Sequence, residues 1–368
     1  MSISTRGTPA LVDRPQPLPT QTRRIRVNHE TRYLYQPAVT TSWHQAHLEP
    51  GNTPCQRVVS VHRQVYPRPT FALQTTDAFG NQQWFFNQET AHAELTVCVT
   101  SILETWSIAG DATGGLLLAE KPAVPRPESV GGAAGASLGA SLGASLGESL
   151  GASPWESMAQ AIAYAPQKPA PRESLYAYPS TYVPRGPEFI AFSAEVFTAG
   201  RPLVEVCKAL TALLHQELQY NPQTTTVQTA ARTALAQRSG VCQDFAHIML
   251  ACLRSRGLAA RYVSGYLITE PAEGQPRLIG ADASHAWVAV YLGDGQWLDC
   301  DPTNNRTGLA SPGPDYIRLA VGRDFADVSP LRGVIHGGAH HRLEVGVTVA
   351  PEDDTLTGSH DHALSTRL

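Results

Sequence analysis

The stretch Ser239-Gly240-Val241-Cys242-Gln243-Asp244-Phe245-Ala246-His247 decides how this chain is read. Gly240 permits a sharp turn. Beyond it, Phe245, Ala246, Met249, Leu250 and Leu253 recur at the spacing of an amphipathic helix that stops at Gly257. Cys242 therefore falls in the first helical turn. Unpaired backbone N–H groups and the positive end of the helix dipole favour the nucleophilic thiolate there, and the N–H of Cys242 itself can help bind an oxyanion.

Two downstream segments supply partners. Ser284-His285-Ala286-Trp287 opens an apolar strand running to Leu292, and Asp299-Cys300-Asp301-Pro302 closes the next strand, which starts at Gln296. Gly293-Asp294-Gly295 reads as the hairpin turn between them. Pairing Leu292 with Gln296 makes paired residue numbers sum to 588, which sets His285 opposite position 303. A slip of one or two residues brings Asp301 opposite or diagonal to His285. Cross-strand neighbours on one face lie within roughly 5–8 Å, the reach of a carboxylate–imidazole hydrogen bond. Cys242, His285 and Asp301 thus form a candidate catalytic triad: nucleophile, proton carrier and ring-orienting carboxylate.

Other candidates carry plainer readings. Cys207 and Cys252 sit on helical patterns in apolar company, and Cys300 alternates with Asp301 and so points to the opposite face. All three read as inert core thiols. His247 is five residues past Cys242, roughly 500° around the helix, and reads as a core histidine. Asp244, some 200° away, reads as structural.

A chain of 368 residues with 42% hydrophobic content suits two domains. The net charge of −4 gives no basic footprint, so no nucleic-acid partner is expected. No run approaches 18 apolar residues and Met1 to Gln21 lacks a signal-peptide core, so no membrane partner and a cytoplasmic location are expected. The six cysteines are scattered without a CxxC pair, which argues against a disulfide framework or a zinc site. His336, His340 and His341 read as a solvated loop, since adjacent imidazoles diverge and no acid or thiol accompanies them. No metal is expected.

Residues 1–22 read as a disordered leader. Residues 23–107 read as an antiparallel β-sandwich, with strands around Ile25–Val27, Val58–Val61, Trp84–Phe86 and Leu95–Val99 separated by turn residues. Residues 108–173 form a linker. It holds a Gly-Ala-Ser-Leu repeat starting at Gly135, whose glycines each cost a helix about 1 kcal/mol relative to alanine. Residues 174–350 read as an α+β core, with helices from Leu203 to Leu218, Thr229 to Gln237 and Cys242 onward, then strands at 260–267, 285–292, 296–301 and 343–349. Residues 351–368 read as a disordered tail.

Gly240-Val241-Cys242-Gln243-Asp244-Phe245-Ala246-His247, Ala260-Arg261-Tyr262-Val263-Ser264-Gly265-Tyr266, Asp282-Ala283-Ser284-His285-Ala286-Trp287, Asp301-Pro302-Thr303-Asn304 and the segment Gly322 to Pro330 resemble the bacterial transglutaminase-like superfamily. His29 to Tyr35 and Asp77-Ala78-Phe79-Gly80-Asn81 resemble the β-domain that precedes the core in such proteins. The resemblance implies a papain-like, transglutaminase-like α+β core in which Cys242, His285 and Asp301 act through a thioester. It implies a peptide or protein substrate and no cofactor, since no calcium-binding run is present. Water resolving the thioester makes a protease or amidase, the leading reading; an amine makes a crosslinking acyltransferase. A binding module without catalysis is the third reading, opposed by the presence of all three triad residues. By the same resemblance Tyr220 is a second oxyanion donor or a core aromatic, and Gln243 is an oxyanion or substrate candidate. Trp287 walls the site or merely packs, and Asp282 contacts the second layer or caps the strand.

Overall fold

In the computed structural model, which describes residues 22–108, 152–167, 169–268 and 284–352, one long strand organises the first domain. β1 (Arg23–Ala46) is followed by β2 (Gln56–Tyr66), β3 (Phe71–Thr76), β4 (Gln82–Gln88) and β5 (His92–Thr105). They form an antiparallel sheet in the order β2-β5-β1-β4-β3. Alternation makes the faces: along β5, Leu95, Val97, Val99, Ser101 and Leu103 are buried while their neighbours are less so. Leu95, Val97 and Val99 share one core cluster with Trp84 and Phe86 of β4 and with Tyr35, Val39 and Ala46 of β1. The expected sandwich is thus a single sheet folded about its longest strand. β1 reaches both limbs, pairing with β5 over residues 23–34 and with β4 over residues 42–46.

The second domain alternates helices and strands. α1 (Trp155–Ile162) and a short 3₁₀ segment (Arg172–Ala177) precede α2 (Pro187–Phe192), α3 (Leu203–Glu217), β6 (Gln219–Tyr220), α4 (Ala231–Gln237), β7 (Ser239–Gly240) and α5 (Cys242–Ser255). Then come β8 (Ala260–Leu267), β9 (Ser284–Gly293), β10 (Gln296–Asp301), β11 (Arg306–Leu309), β12 (Tyr316–Gly322) and α6 (Phe325–Val328). The main sheet is antiparallel, in the order β11-β10-β9-β8-β12. α5 is buried along its whole length, Gln243 to Arg254, because β8 and β9 cover one side of it and α2, α3 and α4 the other. The amphipathic stripe expected from the sequence is thus exceeded: His247, Ile248, Ala251 and Cys252, off that stripe, are buried as fully as Met249 and Leu250. The linker expected over 108–173 contains α1, whose Met158 and Ile162 are buried; the Gly-Ala-Ser-Leu repeat, the leader up to residue 21 and the tail beyond 352 lie outside the described residues.

The chain then returns to the first sheet. β13 (Leu331–Gly337) pairs with β1 over residues 39–46, and β14 (His340–Pro351) pairs with it over residues 25–36. The stretch 174–350 is therefore not one unit: its last two strands complete the N-terminal sheet. Local patterns marked a strand at 343–349 but carry no sign of a partner some 310 residues away. The histidine cluster is also corrected: His336, His340 and His341 lie on this hairpin's strands, all exposed.

The two domains interlock. Ile25, Val27 and Leu103 pack with Tyr266, Ile317 and Leu319 across the junction. The Tyr266 hydroxyl is hydrogen-bonded to buried His29 Nδ1 at 2.8 Å. β12, the edge of the core sheet, is closed by side-chain amides of the first domain. Gln56 donates to the Arg318 carbonyl at 2.9 Å and accepts from its N–H at 2.8 Å; Asn81 does the same for Val321 at 2.7 and 2.8 Å. A bare strand edge is thereby given partners for its backbone.

Gly265 shows how tight the core sheet is. A Cβ there would come 2.1 Å from the Ile317 carbonyl oxygen and 2.5 Å from the Trp287 indole. Backbone oxygen cannot give way as a side-chain tip can. Gly265→Ala should therefore lower unfolding free energy by about 1–3 kcal/mol, the range for overpacking. Urea titration checks this; an unchanged midpoint would show that the indole moves freely.

Candidate active site

The turn into α5 is built before the thiol is placed. β6 and β7 pair in parallel with Tyr220 opposite Gly240. Asp244, in the first turn of α5, reaches back so that its Oδ2 accepts from the Val241 N–H at 2.9 Å and the Thr225 hydroxyl at 2.7 Å. A Cβ on residue 240 would meet that carboxylate at 2.5 Å, so glycine is required by space. This is the carboxylate half of a capping box, and it makes Asp244 structural. The N–H of Cys242, first in the helix, has no intrahelical acceptor by geometry.

His285 is the second residue of β9. Its Nε2 lies 2.7 Å from Asp301 Oδ2. That oxygen also accepts from Asn304 Nδ2 and the Tyr316 hydroxyl, each at 2.7 Å. Asp301 Oδ1 accepts the N–H groups of Thr303 and Asn304 at 2.9 and 3.3 Å. The carboxylate is fully buried. Burial works to raise its pKa, but the His285 hydrogen bond and charge, with Tyr316 and Asn304, hold it below the usual carboxylate range. Cys242 lies close enough to the ring to act on its charge. Burial alone would lower the His285 pKa. The hydrogen bonds of Asp301 and Cys242 and their charges outweigh it and raise the ring to about 10.

The hairpin register explains the meeting. From Trp297 to Cys300 the paired numbers sum to 588, with one irregularity at Gln296. Asp301 then lies across from Trp287 and diagonal to His285, so no slip of register is needed. Asn304 and Tyr316 escaped the sequence reading. Asn304 had a signal, since Asp301-Pro302-Thr303-Asn304 is a turn whose polar side chains bond locally. Tyr316 had none: it comes from β12, oriented by the Arg306 guanidinium 4.8 Å over its ring, and Arg306 in turn holds Asp315 at 2.5 and 2.9 Å.

The remaining candidates separate. Tyr220 is 55% exposed and so is not a core aromatic. Burial, then the charge of Cys242, raises its pKa, and its backbone pairs with Gly240, two residues before the thiol. Gln243 is buried and donates from Nε2 to the Val227 carbonyl at 3.0 Å, anchoring the loop before α4. Trp287 is buried, stacks on the His285 ring at 6.1 Å and donates to Asp299 Oδ2 at 2.7 Å; it supports the imidazole from behind. His247 is fully buried, stacks on Tyr182 at 5.5 Å and accepts from the Phe325 N–H at 3.3 Å. Burial, then Arg254, lowers its pKa to about 3, so it is a neutral core ring. Cys207, Cys252 and Cys300 are fully buried, whereas Cys242 is partly exposed. Asp282 lies outside the described residues. Among the described residues no three or more His, Cys, Asp or Glu side chains converge as metal ligands, and no helix is long and apolar enough to cross a membrane.

Residues 190–302 match the model of the transglutaminase-like superfamily, and residues 25–104 match that of the bacterial transglutaminase-like N-terminal region. An uncharacterized protein of Mycobacterium tuberculosis is 35% identical over 341 residues, covering 91% of this chain and 95% of its own length. A protein-glutamine gamma-glutamyltransferase of Pseudomonas aeruginosa is 35% identical over 105 residues, 26% of this chain and 16% of that protein. A solved structure from Cytophaga hutchinsonii, provisionally assigned as a cysteine protease, superposes with TM-score 0.61 at 16% identity and covers 92% of this chain and 93% of that one. That structure shares the two-domain fold, with an antiparallel sheet domain before the core. The chain belongs to the transglutaminase-like superfamily.

Proposed function

We propose that the protein is a cysteine-dependent hydrolase that cleaves a peptide, isopeptide or glutamine-type amide through a thioester on Cys242. The observation that carries this reading is the His285 ring, bonded to a buried, five-fold satisfied Asp301 and close enough to the partly exposed Cys242 thiol for the two to act on each other's charge. With the His285 ring already protonated, Cys242 Sγ attacks the amide carbon as the thiolate of a thiolate–imidazolium pair. The tetrahedral oxyanion forms beside the Cys242 N–H, with the Tyr220 hydroxyl as second donor. Collapse expels the amine, which takes the proton from the imidazolium, and leaves the thioester. Water, losing its proton to His285, then releases the acid and restores the pair. An amine in place of water gives acyl transfer instead; the local likeness to the Pseudomonas glutamyltransferase favours that as the second reading.

The decisive experiment offers a glutamine peptide with and without a primary amine and follows products by mass spectrometry. Hydrolysis predicts an acid or cleaved product in both conditions; a dominant amine adduct makes the protein a transferase. In either case Cys242→Ala should abolish turnover and remove the thiol that reacts fastest with iodoacetamide, because the other five are buried or unactivated. Equal labelling of wild type and Cys242→Ala would make the protein a non-catalytic binding module.

Asp301→Asn should cost about 10²-fold or more in kcat, because the ring loses its charged acceptor while the thiol stays in place. Tyr220→Phe should cost about 10-fold or more in kcat with KM little changed, as for loss of one oxyanion donor. Stability carries a further signature. The His285 pKa is raised from 6.5 to about 10 on folding, so its stabilising contribution is complete below pH 6.5 and is lost as pH climbs to about 10. Urea midpoints measured across that window should fall in the wild type and fall less in His285→Gln.

A further inference from the structure

A second charged feature lies at the far end of the core sheet. Arg261 on β8 faces the same side as Trp287 and His285, since it pairs with Ala289. Its guanidinium lies 3.9 Å over the Trp297 ring. Among the described residues no carboxylate comes within ion-pair range of it, and its buried Nε has no hydrogen-bond partner. The group lines a cleft of roughly 170 Å³ together with Phe79, Arg172, Glu173, Tyr176 and Trp297. At about 30 Å³ per water molecule, that space suits a small organic molecule. All parts of the chain meet here: Phe79 comes from the β3–β4 turn, Arg172, Glu173 and Tyr176 from the 3₁₀ segment, and Arg261 and Trp297 from the core sheet. Trp297 pairs with Tyr291, six residues along β9 from His285, so the cleft is roughly 20 Å from the thiol's partner.

The charges around the cleft are unevenly paired. Arg172, Arg261 and Arg318 lie near Glu173 and Asp299. Asp77 and Asp327 are nearby, but the first is held by His47 and Asn81 and the second by Arg323. Asp299 has one oxygen on the Trp287 indole and the other buried without a partner, so it does not pair with either guanidinium. Arg261 thus has no hydrogen-bonded counterion among the described residues, and burial followed by the repulsion of Arg318 lowers its pKa to about 10. Three aromatic rings wall the same space, and Tyr176 and Trp297 meet edge to face at 5.5 Å.

We propose that this cleft binds a small monocarboxylate, its two oxygens on the Arg261 guanidinium and its organic body against Phe79, Tyr176 and Trp297. Planar fork geometry suits a carboxylate, and Glu173 in the lining repels a phosphate dianion more than a monoanion. The ligand would bridge both domains without touching the triad.

Isothermal titration of the full chain with benzoate, acetate and inorganic phosphate tests this. Benzoate should bind saturably and more tightly than acetate, which lacks a ring. Arg261→Gln should weaken benzoate about 10-fold or more, the scale of one charge-assisted hydrogen bond, and Glu173→Gln should tighten it. Circular dichroism confirms the fold of each variant; if Arg261→Gln does not fold, Arg172→Gln takes its place and should weaken benzoate several-fold. The proposal is overturned by the absence of saturable benzoate binding, by unchanged affinity in the arginine variant, by weaker binding in Glu173→Gln, or by phosphate binding more tightly than benzoate.

Discussion

A fully buried carboxylate is the constraint around which the core is assembled. Removing an ion from water costs several kcal/mol unless hydrogen bonds replace the lost solvation. Asp301 receives five, and they come from separate pieces of chain: His285 from β9, Tyr316 from β12, and Asn304 and Thr303 from the turn beyond β10. Each donor fixes the element that carries it. The antiparallel register, the turn after Pro302 and the position of the edge strand β12 all have to be right at once for the charge to be satisfied. The imidazole orientation then follows, because its Nε2 is held by Asp301 and its ring stacks on Trp287.

The first domain is bound to this arrangement through β12. Gln56 and Asn81 supply the hydrogen bonds that a next strand would have made, at Arg318 and Val321. Tyr316 lies on that same strand. A disturbance of the N-terminal sheet is therefore transmitted to a residue that touches Asp301, through backbone that has no freedom to absorb it. β13 and β14 make the dependence mutual, since they leave the core and complete the sheet on either half of β1. The two domains share strands and edges, which is a stronger coupling than a surface contact between independently folded units.

What was legible in the sequence was what is local. Gly240, Cys242 and the apolar spacing behind them mark a helix start within a dozen residues, and the Gly293-Asp294-Gly295 turn fixes a register by counting. Asp301 reached His285 with no slip because alternation puts a diagonal partner on the same face. Illegible were the pairings that depend on closure over long distances. Nothing near Leu343 says that its neighbour is Tyr33, and nothing near Tyr316 says that it will serve a carboxylate on another strand. Tyr220 was ambiguous for the opposite reason: an aromatic at the end of an apolar helix is usually core, and only the two-residue pairing of β6 with β7 sets it opposite Gly240 with its ring exposed.

β10 carries charge at both ends, and the contrast between them argues for what each is for. At its C-terminal end every lone pair of Asp301 that can be reached is occupied, so the charge is held still, as a group that orients a ring must be. At its N-terminal end Trp297 supports the Arg261 guanidinium, to which no carboxylate among the described residues is hydrogen-bonded. A half-buried cation in a cleft with aromatic walls is open to an acceptor from outside, and the proposed carboxylate would supply it.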